Sequence, residues 1–182
     1  MIYAGIGSRD TPDDVLDQFE YLGRWLGERG HILRSGHADG ADSAFERGCA
    51  KVCGRMEIYL PWRGFNGSAS PLVFQESDRS MEIARTFHPN FAALGQGAQK
   101  LQARNSYQIL GYDLNKPADF VICWTKSGLG RGGTGQAIRI ANHYNVPVFD
   151  FGAYESLSEA RLEFNIFLKN ARNKVNESTI WW

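Results

Sequence analysis

The sequence predicts an α/β protein: a doubly wound, mainly parallel sheet with strand order about 3-2-1-4-5, flanked by helices. Three observations predict it. Short β-branched and aromatic runs alternate with helical patterns from the first residues onward. The links between them are short, as βαβ units require. Three loops that follow strands, Gly5–Asp10, Ser35–Asp42 and Thr125–Gln136, are rich in glycine and small residues. In this class of sheet such loops meet at the carboxyl ends of the strands, where the order reverses.

Each element has its own signal. Ile2-Tyr3-Ala4-Gly5-Ile6 reads as the first strand. Thr11 is placed to cap a helix, Pro12 suits its first turn, and Asp13 and Asp14 complement its dipole. Val15, Phe19, Leu22 and Leu26 then form one apolar stripe, and Gly30 is the stop. His31–Arg34 is the second strand. The helix after it has a face of small and apolar residues, Ala41, Ala44, Phe45, Gly48, Cys49 and Val52. Met56–Leu60 is the third strand, stopped by Pro61. Residues 61–117 form an insertion between strands three and four: a loop to Pro71, weak helical character over Glu76–Phe87, a break at His88-Pro89-Asn90, and a helix from about Gln99 to Leu110 with Leu101, Ile109 and Leu110 inward. Trp62, Phe65 and Phe74 either wall a nucleobase site or pack the insertion onto the core. Ala118–Trp124 is a buried fourth strand, and a helix begins at Ala137. Val146–Phe151 is the fifth strand, and Pro147 suggests an edge or strand-start position. Ser158–Lys169 is a last amphipathic helix carrying Leu162, Ile166 and Phe167, within a C-terminal helix and tail of about 155–182 that ends in Ile180-Trp181-Trp182.

The 182 residues read as a single domain, 1–182. Twenty Lys and Arg balance twenty Asp and Glu, so no global basic excess advertises nucleic acid, and phosphate contacts must be local. No apolar run approaches the roughly 20 residues of a membrane span. Met1 leads into an apolar strand without a signal-peptide pattern, and three Cys is an odd number, so free thiols and a cytoplasmic protein are expected. Cys49 and Cys53, one helical turn apart, are half a metal site or simply two thiols. No resident metal is legible, although a Mg²⁺ carried on ligand phosphates would leave little trace.

The chemistry is concentrated in Gly130–Gln136. A strand, a glycine-rich loop and a helix place free N–H groups and a helix N-terminus against a phosphate. Thr134 adds a hydroxyl and Arg131 a charge. The plain alternative is a flexible surface loop. Together with Ser8 and Arg9, and with Ser35, Gly36 and Gly40, the segment makes a three-loop crevice.

These residues resemble a family. Gly7-Ser8-Arg9, Ser35-Gly36-His37-Ala38-Asp39-Gly40-Ala41-Asp42, Arg104-Asn105 and Gly133-Thr134 are similar to the motifs of the SLOG superfamily. This is the Rossmann-like group that includes the DNA-processing protein A core and the LOG cytokinin-activating enzymes. The likeness covers roughly residues 1–151 and is nearest to small bacterial and phage members. His37 stands where that pattern usually has Gly, which either narrows the pocket or adds a polar contact.

The resemblance implies a small nucleotide-derived ligand across the loops. Gly7, Ser8 and Arg9 are expected to bind it, with Ser35, Gly36, His37, Gly40, Ala41 and Asp42 from the second loop. Thr125, Gly132, Gly133, Thr134 and Gly135 complete the set, and Arg104 and Asn105 flank it. Asp42 accepts from a ribose hydroxyl or caps its helix; Arg104 reaches a phosphate or makes a surface salt bridge. LOG-type hydrolases are similar but carry a Glu where this chain has Ala137 or Arg139, neither of which is a carboxylate base. The leading expectation is therefore a binding protein for an ADP-ribose-like or cyclic nucleotide signal, acting as a sensor or a phage-type sequestering protein. A hydrolase using Asp42, Asp39 or His37 is the alternative, and single-stranded DNA binding the second. Self-association is expected through the Trp181-Trp182 end or the insertion.

Overall fold

The computed structural model describes residues 1–73 and 78–179, residue 78 and residues 174–179 by their backbone alone. Five strands, β1 Ile2–Gly5, β2 Ile32–Ser35, β3 Met56–Ile58, β4 Phe120–Cys123 and β5 Val148–Asp150, form one sheet in the order β3-β2-β1-β4-β5. Every pairing is parallel. β5 is an edge strand and Pro147 stands just before its first residue, so both readings of Pro147 hold: its carbonyl accepts from Val121 while its ring needs no partner for a missing N–H.

Alternation along the central strands sorts the core into two layers. Tyr3, Phe120 and Ile122 face α1 (Asp13–Glu28), α2 (Ala41–Ala50) and α6 (Leu157–Thr179). Ala4, Val121 and Cys123 face the other way, toward α3 (Asp78–Phe87), α4 (Gln96–Leu110) and α5 (Gly132–His143). The stripe Val15, Phe19, Leu22 and Leu26 is buried as its spacing predicts. The three cysteines are free thiols; Cys49 and Cys123 are buried and Cys53 is exposed. Among the described residues, no helix is long and apolar enough to cross a membrane.

Four expectations are corrected. Thr11 does not cap α1: its Oγ1 donates to the Ser8 carbonyl at 2.7 Å, and the capping position falls on Pro12. The helix expected from Gln99 begins at Gln96 and covers the sheet as a regular crossover helix. The helix expected from Ala137 begins at Gly132, so most of the glycine-rich segment is a first helical turn rather than a loop. On α6 the inward residues are Ala160, Phe164, Leu168 and Ala171, whereas Leu162 and Ile166 are 69% and 53% exposed. Phe74 and Ile180-Trp181-Trp182 lie outside the described residues.

Candidate functional site

β1 and β4 are neighbours that diverge to opposite halves of the sheet, and a cleft of about 380 Å³ opens above their carboxyl ends. The first loop supplies Gly7, Ser8, Arg9 and Asp10 to its wall. The loop is tied to β4 by the Ser8 amide, which donates to the Trp124 carbonyl at 3.2 Å, and closed by the Asp10 amide on Ser8 Oγ. Gly7 packs against the start of α2: a Cβ there would lie 2.5 Å from that of Ala41.

The second loop supplies Ala38 and Asp42. Asp42 lies in the first turn of α2 but does not cap it. Its Oδ2 accepts the Gly36 amide at 3.1 Å and the Gln108 side-chain amide at 3.4 Å. Ser35, Gly36 and Ala41 are buried behind the lining. Gly40 holds φ +86° at the α2 capping position. Asp39 is exposed and outside the lining. His37 is also outside it: Glu46 accepts both its backbone N–H (2.9 Å) and its Nδ1 (2.5 Å). Its φ of +55° gives a physical reason for glycine at this position in the motif that it resembles. The ring neither narrows this cleft nor adds a contact within it.

The third side is α5. Gly132, Gly133 and Thr134 form its first turn and line the cleft, with exposed Arg131 at the capping position. The amides of a first helical turn have no intrahelical partner and carry the positive end of the helix dipole. Two residues of this stretch serve packing instead. Gly135 is buried, and a Cβ there would lie 1.7 Å from the Gly130 carbonyl oxygen. Thr125 anchors the loop: it donates N–H and Oγ1–H to Asp150 and accepts the Gly130 amide at 3.0 Å.

α4 closes the cleft with Leu101, Gln102, Arg104, Asn105 and Gln108. Asn105 clamps α4 to α5 by donating to the Gly133 carbonyl (3.2 Å) and to Gln136 Oε1 (3.0 Å). Arg104 is only 4% exposed. A Cβ on Gly36 would sit 1.0 Å from Arg104 Nη1, so the bare glycine makes the space that the guanidinium fills. Arg104 Nη1 is 3.7 Å from Asp42 Oδ2, close enough for attraction and too far for a hydrogen bond. Its Nε and Nη1 are buried with no hydrogen-bond partner. Of the two alternatives for Arg104 drawn from the sequence, the surface salt bridge is excluded: the residue is an under-satisfied buried cation at the wall of a cleft.

Burial pushes Asp42 up from 3.8 to about 6, Arg104 opposing and Glu46 adding repulsion. Burial likewise lowers Arg104, with Asp42 and Glu46 opposing and Arg9 assisting. The position at which the LOG pattern has Glu is Ala137, a lining methyl, or Arg139, whose Nε donates to the Phe87 carbonyl. Trp62 and Phe65 form an edge-to-face pair outside the lining, so among the described residues no aromatic ring walls the cleft. A larger groove of about 520 Å³ runs between α1 and α6 and is lined by no residue of the three loops.

Sequence reasoning missed Leu101, Gln102 and Gln108. Leu101, Arg104, Asn105 and Gln108 recur at helical spacing on one face, and that periodicity was the available signal.

No protein-family model and no curated protein sequence matches the chain. Solved structures do. DNA processing protein A from Helicobacter pylori, described for its single-stranded DNA binding mode, is similar at 18% identity, TM-score 0.58, over 93% of this chain and 81% of that one. The Moco carrier protein of Chlamydomonas reinhardtii is similar at 18% identity, TM-score 0.53, over 91% of this chain and 82% of that one. The likeness establishes the Rossmann-like fold that these proteins share with the chain.

Proposed function

We propose that the cleft captures the phosphate of a small nucleotide-derived molecule, ADP-ribose-like or a cyclic nucleotide, and that the protein acts in the cytoplasm as a sensor or sequestering protein. The observation that carries this is Arg104, a buried guanidinium with unpartnered donors in the wall that faces the first turn of α5. A buried donor without a partner costs roughly 1–3 kcal/mol, more when charged, so the arrangement gains most when an anion completes it. Gly132–Thr134 offer a helix N-terminus to the same anion, and Ser8 and Arg9 stand opposite. A Mg²⁺ riding on the phosphates is compatible with this set. The absence of a carboxylate at the LOG position favours holding over turnover. Self-association would be sought on the 61–117 insertion and the Trp181-Trp182 end.

The test is the double variant Arg9→Ala, Thr134→Ala. Loss of ADP-ribose binding with an unchanged circular dichroism spectrum is expected, and unchanged affinity would sink the assignment. Recovery of intact ligand after long incubation is expected too; release of base, ribose or phosphate would move the reading to a hydrolase acting through Asp42. Single-stranded DNA is the second reading, favoured by the likeness to DNA processing protein A and by exposed Arg9 and Arg131 at the cleft. It requires affinity that falls steeply with salt.

A further inference from the structure

Asp42 is a buried carboxylate in the wall of an anion site, and the two uses conflict. It shares the guanidinium of Arg104 with whatever anion enters, from 3.7 Å away and out of water. Its other partners are weak or fixed: the backbone amides of Gly36, at 3.1 Å, and Ala38, and the Gln108 side-chain amide at 3.4 Å. A second anion brought up to the buried Asp42–Arg104 pair repels the Asp42 carboxylate and favours its protonated form. An ADP-ribose diphosphate is too strong an acid to take the proton itself near neutral pH.

We propose that capture of an anion in the cleft is coupled to uptake of one proton by Asp42, whose carboxyl changes from a competing anion into a hydrogen-bond donor to the ligand. This rests on the reading of the cleft given above. The proton comes from solvent and returns to it on release, and no covalent bond forms. In the free protein the burial of Asp42 already holds its titration at about 6, so the added charge of a ligand has only a short distance to move it across neutral pH.

The charged surroundings of Asp42 point the same way. α4 presents Arg104 as the direct counter-charge. Glu46, one turn along α2, adds repulsion and is itself bonded to His37. Arg9 and Asp10 from the first loop and Arg131 from the α5 cap stand in the same cleft, and Asp39 is exposed beyond it. Arg9 and Arg131 draw the ligand in. Asp42 is the carboxylate within reach of the cation that receives it.

The experiment is titration calorimetry with ADP-ribose, and with sulfate as a second probe, in buffers of different ionisation enthalpy at pH 7.5. Neither probe titrates near neutral pH. The wild type is expected to take up close to one proton per ligand and to lose affinity about tenfold per pH unit above the titration of Asp42. Asp42→Asn is expected to bind with no proton uptake, with a flat pH profile, and roughly tenfold more tightly at pH 7.5 because its side chain is already neutral. Wild-type binding without proton uptake overturns the coupling and leaves the cleft's role standing. Uptake that persists in Asp42→Asn also overturns it. Failure of both probes to bind overturns the reading of the cleft, and the coupling with it. Should Asp42→Asn not fold, the infrared difference spectrum of the wild type decides: a protonated-carboxyl band appearing on ligand addition is expected, and its absence contradicts the proposal.

Discussion

Two buried arginines of the molecule's polar interior differ in how far their hydrogen bonding is completed. Arg34 on β2 and Arg104 on α4 are 2% and 4% exposed. Each fills space left by a glycine: a Cβ on Gly111 would lie 2.8 Å from Arg34, and one on Gly36 would lie 1.0 Å from Arg104. Their partners differ. Arg34 donates to Glu57 and to the Lys116 carbonyl, both at 2.7 Å, and Tyr59 completes the Glu57 carboxylate at 2.8 Å. Burial alone raises Glu57, yet the hydrogen bonds from Arg34 and Tyr59 hold its pKa below the ordinary value. Arg104 has a carboxylate beyond hydrogen-bond range and two nitrogens with no partner. A completed network fixes a fold; an incomplete one beside a cleft is what the proposed capture of an anion would complete.

The largest expected effect separates the two residues by stability. Arg34→Met strands a carboxylate and a carbonyl, and a loss of about 3–5 kcal/mol is expected in urea melts. Arg104→Met removes a cation that is poorly satisfied, and Asp42 can neutralise itself by taking a proton, so a change of about 1 kcal/mol or less is expected. Equal losses would erase the distinction.

The pH dependence of Asp42 sharpens it further. Its folded pKa, about 6, lies above its unfolded value, so the folded protein binds more protons between roughly pH 4 and 6. That contribution to stability is fully present below pH 4 and is lost as pH rises through 6. The difference in unfolding free energy between wild type and Asp42→Asn is expected to shift against the wild type by on the order of 3 kcal/mol from pH 4 to 7.5. A pH-independent difference would contradict the burial argument.

A smaller effect tests how the cleft is held. Thr125→Val removes a hydroxyl that both donates to Asp150 and accepts from Gly130. A loss of about 1–2 kcal/mol in stability is expected, together with a few-fold weaker affinity for ADP-ribose, because the first turn of α5 is then less firmly placed. Unchanged affinity would show that α4 alone positions that turn, through Asn105 and Gly133.

Much of the fold was legible because the strands and α1 carry periodic apolar signals that local sequence expresses directly. The sheet order followed from alternating strands and helices with short links. The start of α5 was not legible: Gly132, Gly133 and Gly135 are poor helix formers, and the helix is held there by Asn105, 28 residues away from Gly133. The inward face of α6 could not be chosen from spacing, since Phe164 and Leu168 are four residues apart and so are Leu162 and Ile166. Of the candidate site, the three loops were visible in their small residues. Which of those residues serve packing was not, because Gly36, Gly135 and Thr125 act through contacts made only in the folded chain. On α4, Arg104 and Asn105 were visible through the motif that they resemble, but their burial, and the place of Gln108 beside them, was not, because charged and amide side chains are uncommon in a protein interior.

The most direct measurement is the affinity of ADP-ribose for wild type and for Arg104→Met by titration calorimetry at pH 6.5, with thermal melts confirming that both are folded. The account predicts binding by the wild type and a loss of roughly a hundredfold or more in the variant, the scale of one or two charge-assisted hydrogen bonds. Equal affinity in a folded Arg104→Met would contradict it and return that buried guanidinium to the structural role that Arg34 already fills.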